Sequence, residues 1–260
     1  MRTSLLRTAL VAALLTLVPA TASAAADRYV ALGDSYSSGT GTRTYFDSTC
    51  QRSVYSYPYL LSQQRANTSL VFAACSGAKT GDVLSNQVSS LTSTTKIVTI
   101  TIGGNDAGFS NVIKECAKPE WASICDTKVN EAQNYIRNTL PGQLNNVYTQ
   151  IKNRSPTAKV VVLGYPRLFM GVDCNAGTYF DSDDMVMLNQ TADLLNSTTS
   201  GRASAYGFTF KNPTTAFTGH AICSSTEWIN GLSNPVGESY HPNRTGHSSG
   251  YLPLVRQVTG

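Results

Sequence analysis

The sequence predicts an α/β fold in which helices cover both faces of a mostly parallel sheet. Its strand candidates are short runs of apolar and β-branched residues that end in glycine or polar residues, as buried parallel strands do. They are residues 28–33, 69–77, 96–104 and 158–166. Segments with the apolar spacing of helices alternate with them. These are residues 55–66, 129–154, 182–207 and 246–258.

Proline, glycine and acidic residues set the expected limits of the helices. Pro58 stands near the start of the first helical segment, where its missing N–H costs little. Pro141 and Gly142 interrupt the segment 129–154 and predict a break or kink. The segment 182–207 begins with acidic residues, which is typical of a helix N-terminus. No linker or repeat interrupts the alternation, so we predict a single domain over residues 27–260.

The first residues have the pattern of a secretory signal peptide. Arg2 and Arg7 flank an apolar run that is followed by small residues suited to cleavage. The run is shorter than the roughly 20 residues that a spanning helix needs, so no stable membrane anchor is expected. We predict a signal peptide over residues 1–26, cleaved between residues 24 and 27, and an extracellular mature protein.

Charge and cysteine content limit the possible partners. The net charge of +4 includes the two arginines of the signal peptide, and the remainder is too small to favour nucleic acid as a partner. The six cysteines predict three disulfides in an exported chain. Sequential pairing is the simplest of the 15 possible arrangements, and the sequence alone does not decide among them. Without a Cys-x-x-Cys or His-x-x-x-His pattern, a zinc site is not favoured.

An acid and a serine follow the first predicted strand. In Gly33-Asp34-Ser35 the hydroxyl of Ser35 stands where a turn can present a nucleophile, provided that a base accepts its proton. The hydrolase elbow Gly-x-Ser-x-Gly does not fit, because Ser37 stands at the second glycine. The alternative is that Asp34 or Ser35 only caps the next turn.

The base that serves such a serine is usually a histidine, and the chain has His220, His241 and His247. Pro242 follows His241 and restrains its backbone to an extended conformation. After the third strand, Gly103 and Gly104 allow a tight turn, and Asn105 offers an amide donor for a developing oxyanion. The alternative for this segment is a plain Asn-Asp turn.

Four short blocks in this order resemble the GDSL hydrolases, also called SGNH hydrolases, and especially secreted actinobacterial lipases and esterases. The blocks are Gly33-Asp34-Ser35, Gly77, Gly103-Gly104-Asn105-Asp106 and His241. The resemblance implies a three-layer α/β/α fold of flavodoxin-like type and serine esterase chemistry without a metal or organic cofactor. It also implies that Ser35 is the nucleophile, that His241 is the base, and that an oxyanion hole forms from the Ser35 and Gly77 N–H groups and the Asn105 side chain. The similar lipases imply the disulfides Cys50–Cys75, Cys116–Cys125 and Cys174–Cys223.

Two positions depart from the family pattern. Tyr36 replaces the leucine of the name motif, which we interpret as a packing variation. Glu238 stands three residues before His241, where the family often has aspartate. Glu238 completes a triad if its carboxylate orients the imidazole, or the backbone carbonyl of Ser239 or Glu238 supports a Ser–His dyad. Both readings stay open at the level of sequence.

The resulting hypothesis is a secreted, monomeric carboxylic ester hydrolase that acts on small esters or lipids, including phospholipids. Aromatic residues in 44–59 and 168–180 are candidates to line an apolar acyl site. Removal of acetyl groups from polysaccharides is the alternative ester reaction, and amide cleavage is another use of a Ser–His pair. A binding protein on an inherited hydrolase fold is the non-enzymatic alternative.

Overall fold

The computed structural model describes residues 25–260, so the predicted signal peptide lies outside the described residues except for its last two positions. The strands in this part of the chain are β1 (Asp27–Gly33), β2 (Thr68–Phe72), β3 (Thr95–Thr101), β4 (Lys159–Leu163) and β5 (Thr209–Lys211). They form one sheet in the order β2-β1-β3-β4-β5, and every neighbouring pair is parallel. This is the flavodoxin-like strand order, and it confirms the predicted fold class.

The central strands are apolar because both faces of the sheet are covered. In β1 the residues from Tyr29 to Leu32 have no exposed surface, and in β3 Val98 and Ile100 have none. The hydroxyl of Tyr29 bonds the hydroxyl of Thr99 at 2.7 Å, so these polar atoms keep a partner inside the core.

Helices cover the sheet from two sides. They are α1 (Ser35–Ser38), α2 (Tyr57–Gln64), α3 (Thr80–Asp82), α4 (Phe109–Cys116), α5 (Cys125–Asn138), α6 (Leu140–Arg154), α7 (Ser182–Ala205) and α8 (Leu252–Thr259). Helices α2 and α8 contact each other, and they pack on β2 and on β4 and β5 respectively. Helix α7 also packs on β4 and β5 and contacts α5 and α6, which forms the third layer. None of the helices in residues 25–260 is long and apolar enough to cross a membrane.

Short segments of other helical types complete the chain. Two π-helical segments are Val83–Gln87, which continues α3, and Gly246–Tyr251, which leads into α8. Short 3₁₀ turns occur at Val88–Ser90, Glu120–Ala122 and Val236–Glu238. The last of these turns ends at Glu238, three residues before His241.

Some elements differ from the sequence expectation. The segment 129–154 divides into α5 and α6 at Thr139, next to Pro141 as predicted. Strand β5 was not predicted because it has only three residues and lies at the sheet edge, where no long apolar run is needed. Helix α4 was not predicted either, since its eight residues after the left-handed Gly108 are fewer than a sequence window needs to identify a helix.

Candidate active site

Ser35 lies at the carboxyl end of β1, where the chain turns sharply into α1. Gly33 has φ +120°, and a Cβ atom on it would lie 2.3 Å from the carbonyl oxygen of Thr101, so the turn requires glycine. The side chain of Asp34 caps α1 by accepting from the N–H of Tyr36 at 3.0 Å. Asp34 therefore holds the turn, and Ser35 is the first residue of the helix that follows.

Ser35 and His241 form a hydrogen-bonded pair across 206 residues of sequence. The Nε2 atom of His241 lies 2.9 Å from Oγ of Ser35, and its Nδ1 atom lies 2.7 Å from the carbonyl oxygen of Ser239. Because a carbonyl only accepts hydrogen bonds, Nδ1 carries the proton and Nε2 of the neutral ring presents a lone pair to the serine hydroxyl. The arrangement has the geometry of a nucleophile and its general base.

The protein environment keeps this imidazole neutral. Burial lowers the pKa of His241 from 6.5 to about 4, and the hydrogen bond to Ser239 and the charge of Glu238 oppose that shift. At neutral pH the ring is thus ready to accept a proton. Backbone bonds fix its position, since the N–H of Asn230 donates to the carbonyl of His241 and the N–H of Tyr240 donates to the carbonyl of Asn230.

The carboxylate of Glu238 makes no hydrogen bond to His241. It is almost fully buried, at 2% exposure, and its Oε1 atom accepts a hydrogen bond from the hydroxyl of Tyr45. That hydroxyl in turn accepts from the N–H of Gly41 at 3.1 Å. The hydrogen bonds of Glu238 therefore do not include the imidazole, and the partner of Nδ1 of His241 is the carbonyl oxygen of Ser239.

The loops after β2 and β3 lie together beside this pair. The side-chain amide of Asn105 donates to the carbonyl of Ala78 at 3.1 Å, which leaves its second N–H available. The carboxylate of Asp106 accepts from the hydroxyl of Thr80 at 2.6 Å and from its backbone N–H. Within residues 25–260, the N–H groups of Ser35 and Gly77 bond no other backbone group.

An apolar cavity of about 290 Å³ begins at the pair of Ser35 and His241. Ser35, Asn105 and His241 line its polar end, whereas Gly77 is not among the lining residues. Its apolar wall comes from α4, α5 and α7 and includes Phe109, Val112, Ile113, Ala132, Ile136, Leu188, Ala192 and Leu195.

The expectation that the aromatic segments 44–59 and 168–180 line the apolar site was wrong, because the wall of the cavity comes from other residues. Only Leu168 of those segments lines the cavity. The helical residues of the wall were missed because an apolar residue that faces a cavity has the same periodicity as one that faces the core. Their sequence therefore contains no signal of a ligand site.

Comparison with known proteins decides the family. The sequence model described as the GDSL-like Lipase/Acylhydrolase family matches residues 31–248. A lipase from Streptomyces rimosus is 45% identical over 234 residues, which are 89% of this chain and 86% of the relative. The chain belongs to the GDSL-like lipase/acylhydrolase family. It is a carboxylic ester hydrolase, as the sequence predicted.

Solved structures of other ester hydrolases share the architecture. The extracellular lipase of Streptomyces rimosus matches with a TM-score of 0.84 at 44% identity, over 90% of this chain and 100% of that chain. A phospholipase A1 from Streptomyces albidoflavus matches with a TM-score of 0.84 at 43% identity and the same coverage. An acetyl-xylooligosaccharide esterase from Geobacillus matches at 14% identity and a TM-score of 0.54, which shows a common fold alone.

The other two histidines of this GDSL hydrolase make contacts that do not involve Ser35. His247 has no exposed surface, accepts from the N–H of Tyr57 at 3.3 Å, and has a pKa that burial lowers to about 3. His220 stacks on Trp228 with 3.7 Å between ring centroids. Both make structural contacts, and neither hydrogen-bonds the serine.

All six cysteines form disulfides in the structure. The pairs are Cys50–Cys75, Cys116–Cys125 and Cys174–Cys223, which are the pairs that the family resemblance implies. Since no cysteine in the described chain is free, none offers a thiolate to a metal.

Proposed function

We propose that this ester hydrolase works through a Ser–His dyad. The observation that carries the proposal is the 2.9 Å contact between Ser35 Oγ and His241 Nε2. The proton of Ser35 passes to Nε2 as Oγ attacks the ester carbonyl, and His241 then delivers it to the departing alcohol. Water repeats the sequence on the acyl-enzyme and releases the acid. The Ser239 carbonyl holds the Nδ1 proton throughout, so the ring keeps one tautomer.

The oxyanion of the tetrahedral intermediate requires donors that are already in place. We assign this role to the backbone N–H groups of Ser35 and Gly77 and to the free N–H of the Asn105 side chain. The bond from Asn105 to Ala78 supports the assignment, because it fixes the amide plane and ties it to the loop that carries Gly77.

The substrate we propose is a lipid ester with a medium-length acyl chain, such as an acylglycerol or a phospholipid. An apolar cavity that begins at the nucleophile suits an alkyl chain, whereas an acetyl group would leave most of it empty. Two similar structures are a lipase and a phospholipase A1. The cavity disfavours polysaccharide acetyl esters, which remain the alternative that a substrate profile must exclude.

We further propose that the mature protein is a secreted monomer of one domain, residues 27–260, released from a signal peptide at residues 1–26. Three disulfides suit an oxidising compartment, and a similar relative is described as extracellular. The small net charge of +4 for the whole chain argues against nucleic acid as a partner.

The test is hydrolysis of p-nitrophenyl esters from acetate to palmitate by the mature protein and its Ser35→Ala variant. We expect a maximum at intermediate chain length and a loss of about 10⁴-fold or more in kcat for the variant. Ser85→Ala, on an exposed segment, is the matched control and should retain wild-type rates. Full activity of Ser35→Ala would refute the mechanism, and a maximum at acetate would refute the proposed substrate.

A further inference from the structure

The carboxylate of Asp34 is the centre of a buried hydrogen-bond network directly behind Ser35. Asp34 is 1% exposed. Its Oδ1 atom accepts from the N–H of Tyr36 at 3.0 Å and from the hydroxyl of Thr101 at 2.8 Å. Its Oδ2 atom accepts from the hydroxyl of Tyr165. The first two donors belong to the nucleophile turn and to β3, but Tyr165 comes from the chain that leaves β4.

Hydrogen bonds anchor Tyr165 to α7, and its side chain also contacts the loop after β3. The side chain of Asn196, in α7, makes two hydrogen bonds to the backbone of Tyr165. Its Oδ1 atom accepts from the N–H of Tyr165, and its amide donates to the carbonyl of Tyr165, both at 2.8 Å. The hydroxyl of Tyr165 accepts from the N–H of Gly104 at 3.3 Å. A Cβ atom on Gly104 would lie 3.4 Å from Cζ of Tyr165, so the ring also packs against this loop.

We propose that Tyr165 is a positioning residue that fixes the nucleophile relative to the oxyanion amide. Its hydroxyl oxygen bridges Asp34, the residue before Ser35, and Gly104, the residue before Asn105. One buried oxygen thus joins the ends of two strands that carry the attacking atom and a donor to the developing charge. The inference rests on the function proposed above, because it assumes the roles of Ser35 and Asn105.

The same contacts exclude a direct chemical role for this hydroxyl. A phenol has one proton, and Tyr165 donates it to Asp34, so none is left for a substrate oxygen. The ring lines the cavity and stands edge-on to Tyr36, with 5.0 Å between centroids. Removal of the hydroxyl alone therefore leaves the cavity wall in place and breaks only the bridge.

The test compares Tyr165→Phe with Tyr29→Phe. The control also removes a buried tyrosine hydroxyl, which bonds Thr99 at 2.7 Å inside the sheet and does not line the cavity. We expect Tyr165→Phe to lower kcat about 10-fold to 100-fold with little change in KM, since small displacements of reacting groups cost this much. Tyr29→Phe should leave both constants unchanged and lower the thermal midpoint to a similar extent.

A transition-state analogue separates positioning from general destabilisation. An alkylboronic acid forms a tetrahedral adduct on the Ser35 oxygen, so its inhibition constant should rise in Tyr165→Phe by the factor that kcat/KM falls. A kcat within about twofold of wild type would overturn the proposal. An equal loss of kcat in Tyr29→Phe, or a boronate affinity that does not change, would overturn it as well.

Asp34→Asn is the second variant in case Tyr165→Phe does not fold. It retains an oxygen acceptor for the helix cap but replaces Oδ2 with a donor, which cannot accept from Tyr165. The same kcat loss and the same weakening of boronate binding are expected. Activity of Ser35→Ala reports on the proposed function separately: if that variant is inactive while Tyr165→Phe and Asp34→Asn are fully active, only the bridge is refuted.

Discussion

At His241, a main-chain carbonyl occupies the position that a carboxylate takes in a Ser-His-Asp triad. The carbonyl of Ser239 fixes the tautomer but carries only a partial charge. The carboxylate of Glu238 accepts a hydrogen bond from Tyr45 instead, and its charge acts to raise the pKa of His241 against the effect of burial. Orientation and charge stabilisation are therefore supplied by two neighbouring groups.

Because the Ser239 carbonyl, and not Glu238, orients the imidazole, we expect Glu238→Gln to have only a small effect on kcat. The glutamine still accepts from Tyr45, and the Ser239 contact with His241 is unchanged, so kcat should fall less than about tenfold, against about 10⁴-fold when a triad aspartate is replaced. Loss of the negative charge lowers the pKa of His241 further, so the acid limb of activity should move to lower pH. His241→Gln is the inactive control, and a loss for Glu238→Gln as large as for that control would establish a triad instead.

Burial of His241 also predicts the pH dependence of the wild-type enzyme. In the proposed mechanism only the neutral imidazole accepts the proton of Ser35, and burial lowers the pKa of His241 from 6.5 to about 4. Activity should therefore persist as pH falls through 6.5 and decline only as it approaches about 4. The measurement is kcat/KM against pH for a non-ionising ester. Burial also raises the pKa of Asp34 from 3.8 to about 6, so Asp34→Asn is measured in parallel. An acid limb with its midpoint near 6.5 that this variant retains would show that the ring is hydrated in the free enzyme.

The elements show what the sequence could and could not predict. The strands carrying Ser35 and Asn105 were identified because buried parallel strands leave long apolar runs that end at the ligand-binding edge. The bridge through Tyr165 was not predicted. Nothing in the sequence around Tyr165 distinguishes a tyrosine that contacts two other loops from one that packs in the core. The cavity wall was missed for the same reason, because it depends on how three helices pack.

The three helices that form the cavity wall, α4, α5 and α7, should determine which acyl chain lengths the enzyme accepts. Ala192 lies half-buried on α7 in the wall of the cavity, so Ala192→Phe places a ring in the space proposed for the chain. Hydrolysis of octanoate and decanoate esters should fall about tenfold or more in kcat/KM, while acetate hydrolysis changes little. Gln190→Phe adds the same ring to an exposed position of the helix and should leave the profile unchanged. A parallel loss on acetate would place the acyl chain elsewhere.

At the scale of the whole molecule, the disulfides close loops of very different length. Cys174–Cys223 joins residues 49 apart, and Cys116–Cys125 joins residues only 9 apart. The longer link connects the segment after β4 with the chain that leads towards His241, and Phe169 and Ile222 pair beside it. The number of cysteines predicted that disulfides form. Where the disulfides lie relative to the active site depends on the folded structure and could not be predicted from that number.

The loop lengths predict that loss of Cys174–Cys223 lowers stability more than loss of Cys116–Cys125. Chain-entropy arguments give about 4 kcal/mol for the Cys174–Cys223 loop and about 3 kcal/mol for the Cys116–Cys125 loop, because the longer loop restricts the unfolded chain more. Paired Cys→Ala variants of each bridge, unfolded in urea, measure the two losses directly. A larger loss for Cys116–Cys125 would mean that native packing around α4 and α5, where both of its cysteines are buried, outweighs the entropy of the unfolded chain.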